Sequence, residues 1–166
     1  MIAARTIITW QTIISRETNP QNPAVITVGA IRGGTKNNII PDEVQLLLSI
    51  RTLDAEVRKH VLQSIARIAK GEAEAGGAPR EPLIEPTAGM QSAEAVYNDP
   101  ELTNRLAAAL GTGMAPGNVI EMPAKMTSED FSEYSRAGVK SVLLHIGAVD
   151  PRCSGALHRD PRDRRS

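Results

Sequence analysis

The strongest constraint on the fold lies in residues 44–69. From Val44 to Arg51 the side chains alternate: Val44, Leu46, Leu48 and Ile50 fall on one face, Gln45, Leu47, Ser49 and Arg51 on the other. That period of two is a strand with one buried face. Immediately afterwards Val57, Val61, Ile65, Ile68 and Ala69 recur at helical spacing behind Asp54, an N-cap residue, with Glu56 in the first turn. A half-buried strand running straight into an amphipathic helix requires a sheet with a helix layered on it.

The flanking residues extend that unit. Residues 2–16 carry Ile7, Ile8, Gln11 and Ile14 near helical spacing, and Asn19 to Pro23 breaks the chain. Residues 24–31 (AVITVGAI) are rich in β-branched side chains and predict a strand. Gly76-Gly77 stops the second helix, and residues 82–85 are expected to add a short edge strand, where prolines are tolerated. The order is helix, strand, strand, helix, strand. With one strand in front it is the ferredoxin-like split unit, so the predicted class is α/β (α+β) with the first strand missing.

A second region is expected over residues 91–150. Asp99-Pro100 opens a helix through Leu110 that Gly111-Thr112-Gly113 ends. A short strand is predicted at 118–122, a short helix at 129–136 and a fully buried strand at 141–147 (SVLLHIG). From 151 onward the chain is Arg-rich and without pattern, and is expected to be irregular. The domain reading is therefore 1–90, 91–150 and a tail of 151–166.

Composition narrows the function classes. The 166 residues carry 19 basic and 19 acidic side chains, so no net field favours nucleic acid or an anionic membrane. Aromatic residues are 2% of the chain, too few for a base-stacking surface, and the core is expected to be aliphatic. No run approaches the length of about 20 apolar residues that spans a bilayer. The N-terminal stretch has only Arg5 as an early charge and no small-residue cleavage site, and reads as an amphipathic helix rather than a signal. A single cysteine, Cys153, excludes an internal disulfide and fits the cytoplasm.

The most specific run is GGTKNNIIPDEVQLLLSIRTLD, Gly33 to Asp54. It resembles the lid domain of the zinc-dependent amidohydrolases that include hippurate hydrolase, aminoacylase and related carboxypeptidases. Their lid carries a G-G-T-x-x-N-x-I-P-D turn with an R-T/S-x-D strand end thirteen positions beyond the Asn, the interval that separates Asn38 from Arg51. VYNDPELTNRLAAAL is similar to that family's return to the catalytic domain, MTSEDFSEY to its S-E-D-F-S segment, and SVLLHIGAVD to its last core strand.

The resemblance implies a ferredoxin-like lid or dimerisation domain followed by the C-terminal piece of an α/β zinc-peptidase-like catalytic domain. It implies hydrolysis of the amide bond of N-acyl or N-aroyl amino acids. It further implies a homodimer in which one subunit's lid reaches the partner's active site. Arg51 would clamp the substrate carboxylate, for which a planar guanidinium is suited. Asn38 would polarise the scissile carbonyl, and Ser128 would touch substrate while Glu129 or Asp130 holds its loop. From the residues alone, Asn38 also fits an Asx turn, Arg51 a solvated strand end and Ser128 a helix cap.

The resemblance also implies a divalent metal, zinc or manganese. The chain has His60, His145 and His158 and no Glu-Glu pair. His158, in Ala156-Leu157-His158, is similar to the family's L-H-S segment and is the candidate ligand, although Arg159 stands where the family has Ser. His158-Arg159-Asp160 forms an H-x-D among arginines and is read as coincidence. His60 is expected to face solvent, His145 to lie in the core, and Cys153 to be incidental. The expectation is thus a chain that does not hold the metal tightly and is inactive alone. The alternative is a non-enzymatic dimerisation or interaction module, or a gene remnant.

Overall fold

The computed structural model describes residues 1–86, 93–126 and 130–147. Helix α1 (Ile2–Thr12) runs into a π-helical turn, Ile13–Glu17. Strands β1 (Ala24–Arg32) and β2 (Gln45–Thr52) pair antiparallel, and helix α2 (Ala55–Ala75) follows. Helices α3 (Pro100–Gly113) and α4 (Ser132–Arg136) belong to the second region. The helix–strand–strand–helix order is the one expected, and the architecture is mixed α/β around a two-stranded sheet.

The expected alternation holds from Gln45 to Arg51, whereas Val44, expected on the buried face, is exposed and precedes the strand. Leu46, Leu48 and Ile50 pack against the core, while Leu47, Ser49 and Arg51 are exposed. Opposite them Ile26 is buried and Val28 partly so, paired with Ile50 and Leu48. The pairing slips by one residue at Gly29, where β1 carries an extra residue between Val28 and Ala30. A glycine inside a strand is the sequence mark of such a bulge.

Both helices cover the same face of the hairpin. The core joins Trp10 and Ile13 at the end of α1, Ile26 on β1, and Val61, Ile65, Ile68 and Ala69 on α2. Ile13 and Val61 are fully buried, each worth about 1.5–3 kcal/mol of apolar transfer. Trp10 corrects the expectation of a wholly aliphatic core: it is 4% exposed, and its indole N–H donates to the carbonyl of Ile65 at 3.1 Å. This bond satisfies the one polar group that burying a Trp brings with it.

Helix ends follow their capping residues. The Asp54 carboxylate accepts from the backbone N–H of Val57 at 2.9 Å, and Gly76 closes α2. Asp99 does the same for Leu102 at 2.8 Å, with Pro100 at the first helical position. The first helix differs from its expected single span because its last turn widens. The wider turn keeps Ile13 in the core and carries Glu17 onto α2.

Three expected strands are not found. Residues 82–85 find no ladder partner among the described residues; Leu83 is exposed, and Ile84 packs against the core. Residues 118–122 follow a turn in which Asn118 donates to Ala115, and Ile120 is exposed. Residues 141–147 are extended but join no sheet among the described residues, and Ile146 is 90% exposed. What holds that segment is the end of α3. The Asn98 side chain accepts from the Leu143 N–H and donates to its carbonyl, and Asp99 N–H donates to the carbonyl of Ser141. A strand needs a neighbour's backbone, and an apolar run alone does not supply one. Helix α3 also runs through Gly113 rather than stopping at Leu110, and α4 starts at Ser132 rather than 129.

Candidate functional site

The hairpin positions the two leading candidates. Beyond the last pair, Arg32 with Gln45, residues 33–44 form a finger that stays closed at its base. A Cβ on Gly33 would stand 3.0 Å from the Val44 side chain and 3.2 Å from the carbonyl of Glu43, so the two arms approach closely at this point. Gly34 sits at φ +78, in the left-handed region that favours glycine. Asn38 lies exposed at the tip of this finger, beside exposed Ile39 and Ile40.

Arg51 occupies the other end of the ladder, paired with Val25. It lies six positions along the strand from Gln45, a span of about 20 Å. Asn38 and Arg51 are therefore not brought together within one copy of the chain. Arg51 is exposed and donates from Nη1 to the backbone carbonyl of Met126 at 2.9 Å. That contact brings the strand end to the start of the MTSEDF segment. Ser128 and Glu129 lie outside the described residues; Asp130 opens the turn into α4, its carbonyl accepting from Glu133 N–H at 3.0 Å.

His60 is exposed on α2, as expected, with Nε2 3.9 Å from the Glu17 carboxylate. His145 corrects its expectation: it is exposed on the extended segment and not a core side chain. His158 and Cys153 lie outside the described residues. Among the described residues no group of three or more His, Cys, Asp or Glu comes together to hold a metal ion. The described donors therefore do not by themselves fit a divalent ion.

Sequence reasoning missed the polar knot around Glu17. Its carboxylate accepts from Arg67 at 2.7 Å through both oxygens and from Ser64 at 2.9 Å. These bonds, led by that of Arg67, hold the Glu17 carboxyl below the usual carboxylate range. Beside it, between the π-helical turn and the start of α2, lies an open hollow of about 380 Å³ lined by Glu17, Asn19, Asn22, Asp54 and His60 among others. Nothing in the local sequence links Glu17 to residues 47 and 50 positions away; only the geometry of the widened turn does.

Comparison with known proteins places these features in a family context. Residues 2–77 match the peptidase dimerisation domain. The chain is 39% identical over 149 residues to an N-acetyldiaminopimelate deacetylase of Bacillus subtilis, covering 89% of this chain and 38% of that protein. It is 44% identical over 73 residues to a hippurate hydrolase of Campylobacter jejuni, covering 44% of this chain and 19% of the relative. A crystal structure described as an aminohydrolase of methicillin-resistant Staphylococcus aureus superposes with a TM-score of 0.66 at 25% identity, over 82% of this chain and 34% of that one. The chain thus spans well under half the length of these relatives. No helix among the described residues is long and apolar enough to cross a membrane. Residues 2–77 are thus similar to the peptidase dimerisation domain, and over most of its length the chain resembles the amidohydrolase family of these deacetylases and hydrolases.

Proposed function

We propose that the chain serves as the dimerisation and substrate-gripping part of a metal-dependent amidohydrolase that cleaves the amide bond of N-acyl or N-aroyl amino acids. The observation that carries this reading is Arg51. It is an exposed guanidinium at a strand end, with one neutral carbonyl as its partner, inside a peptidase dimerisation domain. Its remaining N–H groups suit the free carboxylate that every N-acyl amino acid carries.

Asn38 would donate its amide to the oxygen of the scissile carbonyl, and Ser128 would line the same substrate. Asn38 at the tip of the finger and Arg51 at the far end of the ladder favour a site shared between two copies, with different ends of the lid serving different substrates. His158 would contribute a metal ligand, zinc or manganese being the ions of choice. Because the sequence holds three histidines and no Glu-Glu pair to supply the family's ligands and base, the 166 residues by themselves are expected not to hydrolyse.

The test uses a hybrid in which residues 1–147 replace the matching part of the Bacillus subtilis deacetylase. Amino-acid release from N-acetyl and N-benzoyl amino acids is expected from the hybrid, lost with chelator, and absent from the chain alone. Arg51→Ala in the hybrid should raise KM, with a smaller effect on substrates whose carboxylate is esterified. A folded, dimeric hybrid that releases nothing would sink the reading, and chelator-sensitive release by the chain alone would sink the expectation of inactivity.

A further inference from the structure

Both helices cover one face of the β1–β2 hairpin. Cross-strand partners share a face, so the pairs Val25–Arg51, Thr27–Ser49 and Ala30–Leu47 form three rungs on the side turned away from that core. The extra residue at Gly29 keeps Ala30 on this side. Of the six residues all but Ala30 are exposed. Neighbouring rungs on one face of a strand stand about 7 Å apart.

The rungs differ in chemistry. The first ends in the Arg51 guanidinium, which gives one hydrogen bond to the carbonyl of Met126 and carries further N–H groups. The third is apolar. Between them two hydroxyls stand side by side at the Thr27–Ser49 pair. A facing Thr and Ser can bond each other across the strands, yet among the described residues neither of these hydroxyls makes a hydrogen bond. Each therefore keeps a donor and acceptor lone pairs for something else. Val25 on one side and Leu47 on the other offer only carbon, so the hydroxyl pair is the hydrogen-bonding step between the arginine and the apolar rung.

We propose that Thr27 and Ser49 are specificity-determining residues, which bind the polar end of the substrate's amino-acid side chain while Arg51 holds its carboxylate. The proposal rests on the amidohydrolase reading and adds a substrate class: N-acyl amino acids whose side chain ends in a hydrogen-bonding group. One rung, about 7 Å, is the length that a glutamine-sized residue spans from carboxylate to side-chain amide. A hydroxyl gives a proton to the amide oxygen and receives one from the amide nitrogen, so two adjacent hydroxyls match both halves of that group. An aliphatic side chain of the same length leaves them unmatched.

Amide NMR spectra of the whole chain, titrated with N-acetyl-L-glutamine and with N-acetyl-L-norleucine, test this. Both ligands should shift Arg51. The glutamine derivative should also shift Thr27 and Ser49 and bind about fivefold tighter, the factor of one ordinary hydrogen bond. Combining Thr27→Val with Ser49→Ala should abolish that preference and leave the signals of Val61 and Ile65 in place, which shows the core intact. Equal affinities in the unsubstituted chain, or a preference that survives both substitutions, overturn the proposal and leave the carboxylate role of Arg51 standing. No shift at Arg51 with either ligand sinks that role, and the proposal with it. Shifts at Thr27 and Ser49 that follow protein concentration without ligand would make this face a contact between copies, which also overturns it.

Discussion

Residues 1–77 and residues 93–147 carry apolar runs of similar strength, yet they end in different states. VQLLLSIR becomes a strand because AVITVGAI lies beside it and two helices cover one face. SVLLHIG stays extended and joins no sheet among the described residues, held by Asn98 and Asp99, with Leu144 and Ile146 exposed. The first region buries Trp10, Ile13, Val61 and four further apolar residues in one cluster. In the second, the buried residue among those described is Ser132. A hydrophobic run thus announces a demand for burial and says nothing about whether a partner surface is within reach.

The comparison is most exposed to a pair of truncations. Ile13→Ala is expected to cost about 2–5 kcal/mol, the usual range for an aliphatic core cavity. Ile146→Ala should stay within about 0.5 kcal/mol, as for a surface site. Urea unfolding followed by Trp10 fluorescence measures both, and similar losses at the two positions would erase the distinction between the regions.

The caps offer a subtler contrast. Asp54→Ala should cost the first region about 1 kcal/mol, read in the same unfolding curve. Asp99→Ala removes an equivalent cap in the second region and should lower helical content without moving the Trp10 transition. A shift of that transition by Asp99→Ala would mean that the two regions unfold as one.

Glu17 supplies a pH test of the first region. Its folded pKa is depressed by Arg67 and Ser64, so its contribution is present above the unfolded value and is lost as pH falls through the folded one. Stability should therefore decline on acidification below the ordinary glutamate range, and Glu17→Gln should flatten that decline. At this partly exposed site the pair is worth about 1 kcal/mol or less. A Glu17→Gln variant with an unaltered acid limb would remove the knot from the account of how α1 is fastened to α2.

The smallest effect is expected at the finger. Gly34→Ala places a Cβ at φ +78 and should cost about 1 kcal/mol, seen as a modest drop in Tm. No loss would show that the finger readily takes another conformation.

The first region was readable where the information is local. The period of β2, the stripe of α2 and the caps Asp54 and Asp99 each sit within a few residues of what they determine. The register of Gly33 to Asp54 resembles the lid turn of the amidohydrolases, and residues 2–77 match the peptidase dimerisation domain. What remained hidden depends on distant partners. Trp10 finds the carbonyl of Ile65, Glu17 finds Arg67, and Arg51 finds Met126; none of these pairs leaves a trace in spacing. The expected strands at 82–85, 118–122 and 141–147 failed for the same reason, since strand formation is a property of two segments and the sequence displays one at a time.

The extra residue at Gly29 has an effect that reaches the tip of the hairpin. Up to Val28 the even-numbered residues of β1 look toward the helices, with Ile26 opposite Ile50 and Val28 opposite Leu48. Past the bulge the parity reverses, and Ile31 stands opposite Leu46. Counting along the chain therefore assigns the finger's arm to the wrong side unless Gly29 is skipped. Deleting that one residue would let Ala30 follow Val28 directly opposite Leu47, keeping every pair out to Arg32 with Gln45 and its face, and removing only the kink and added twist that the bulge gives the arm.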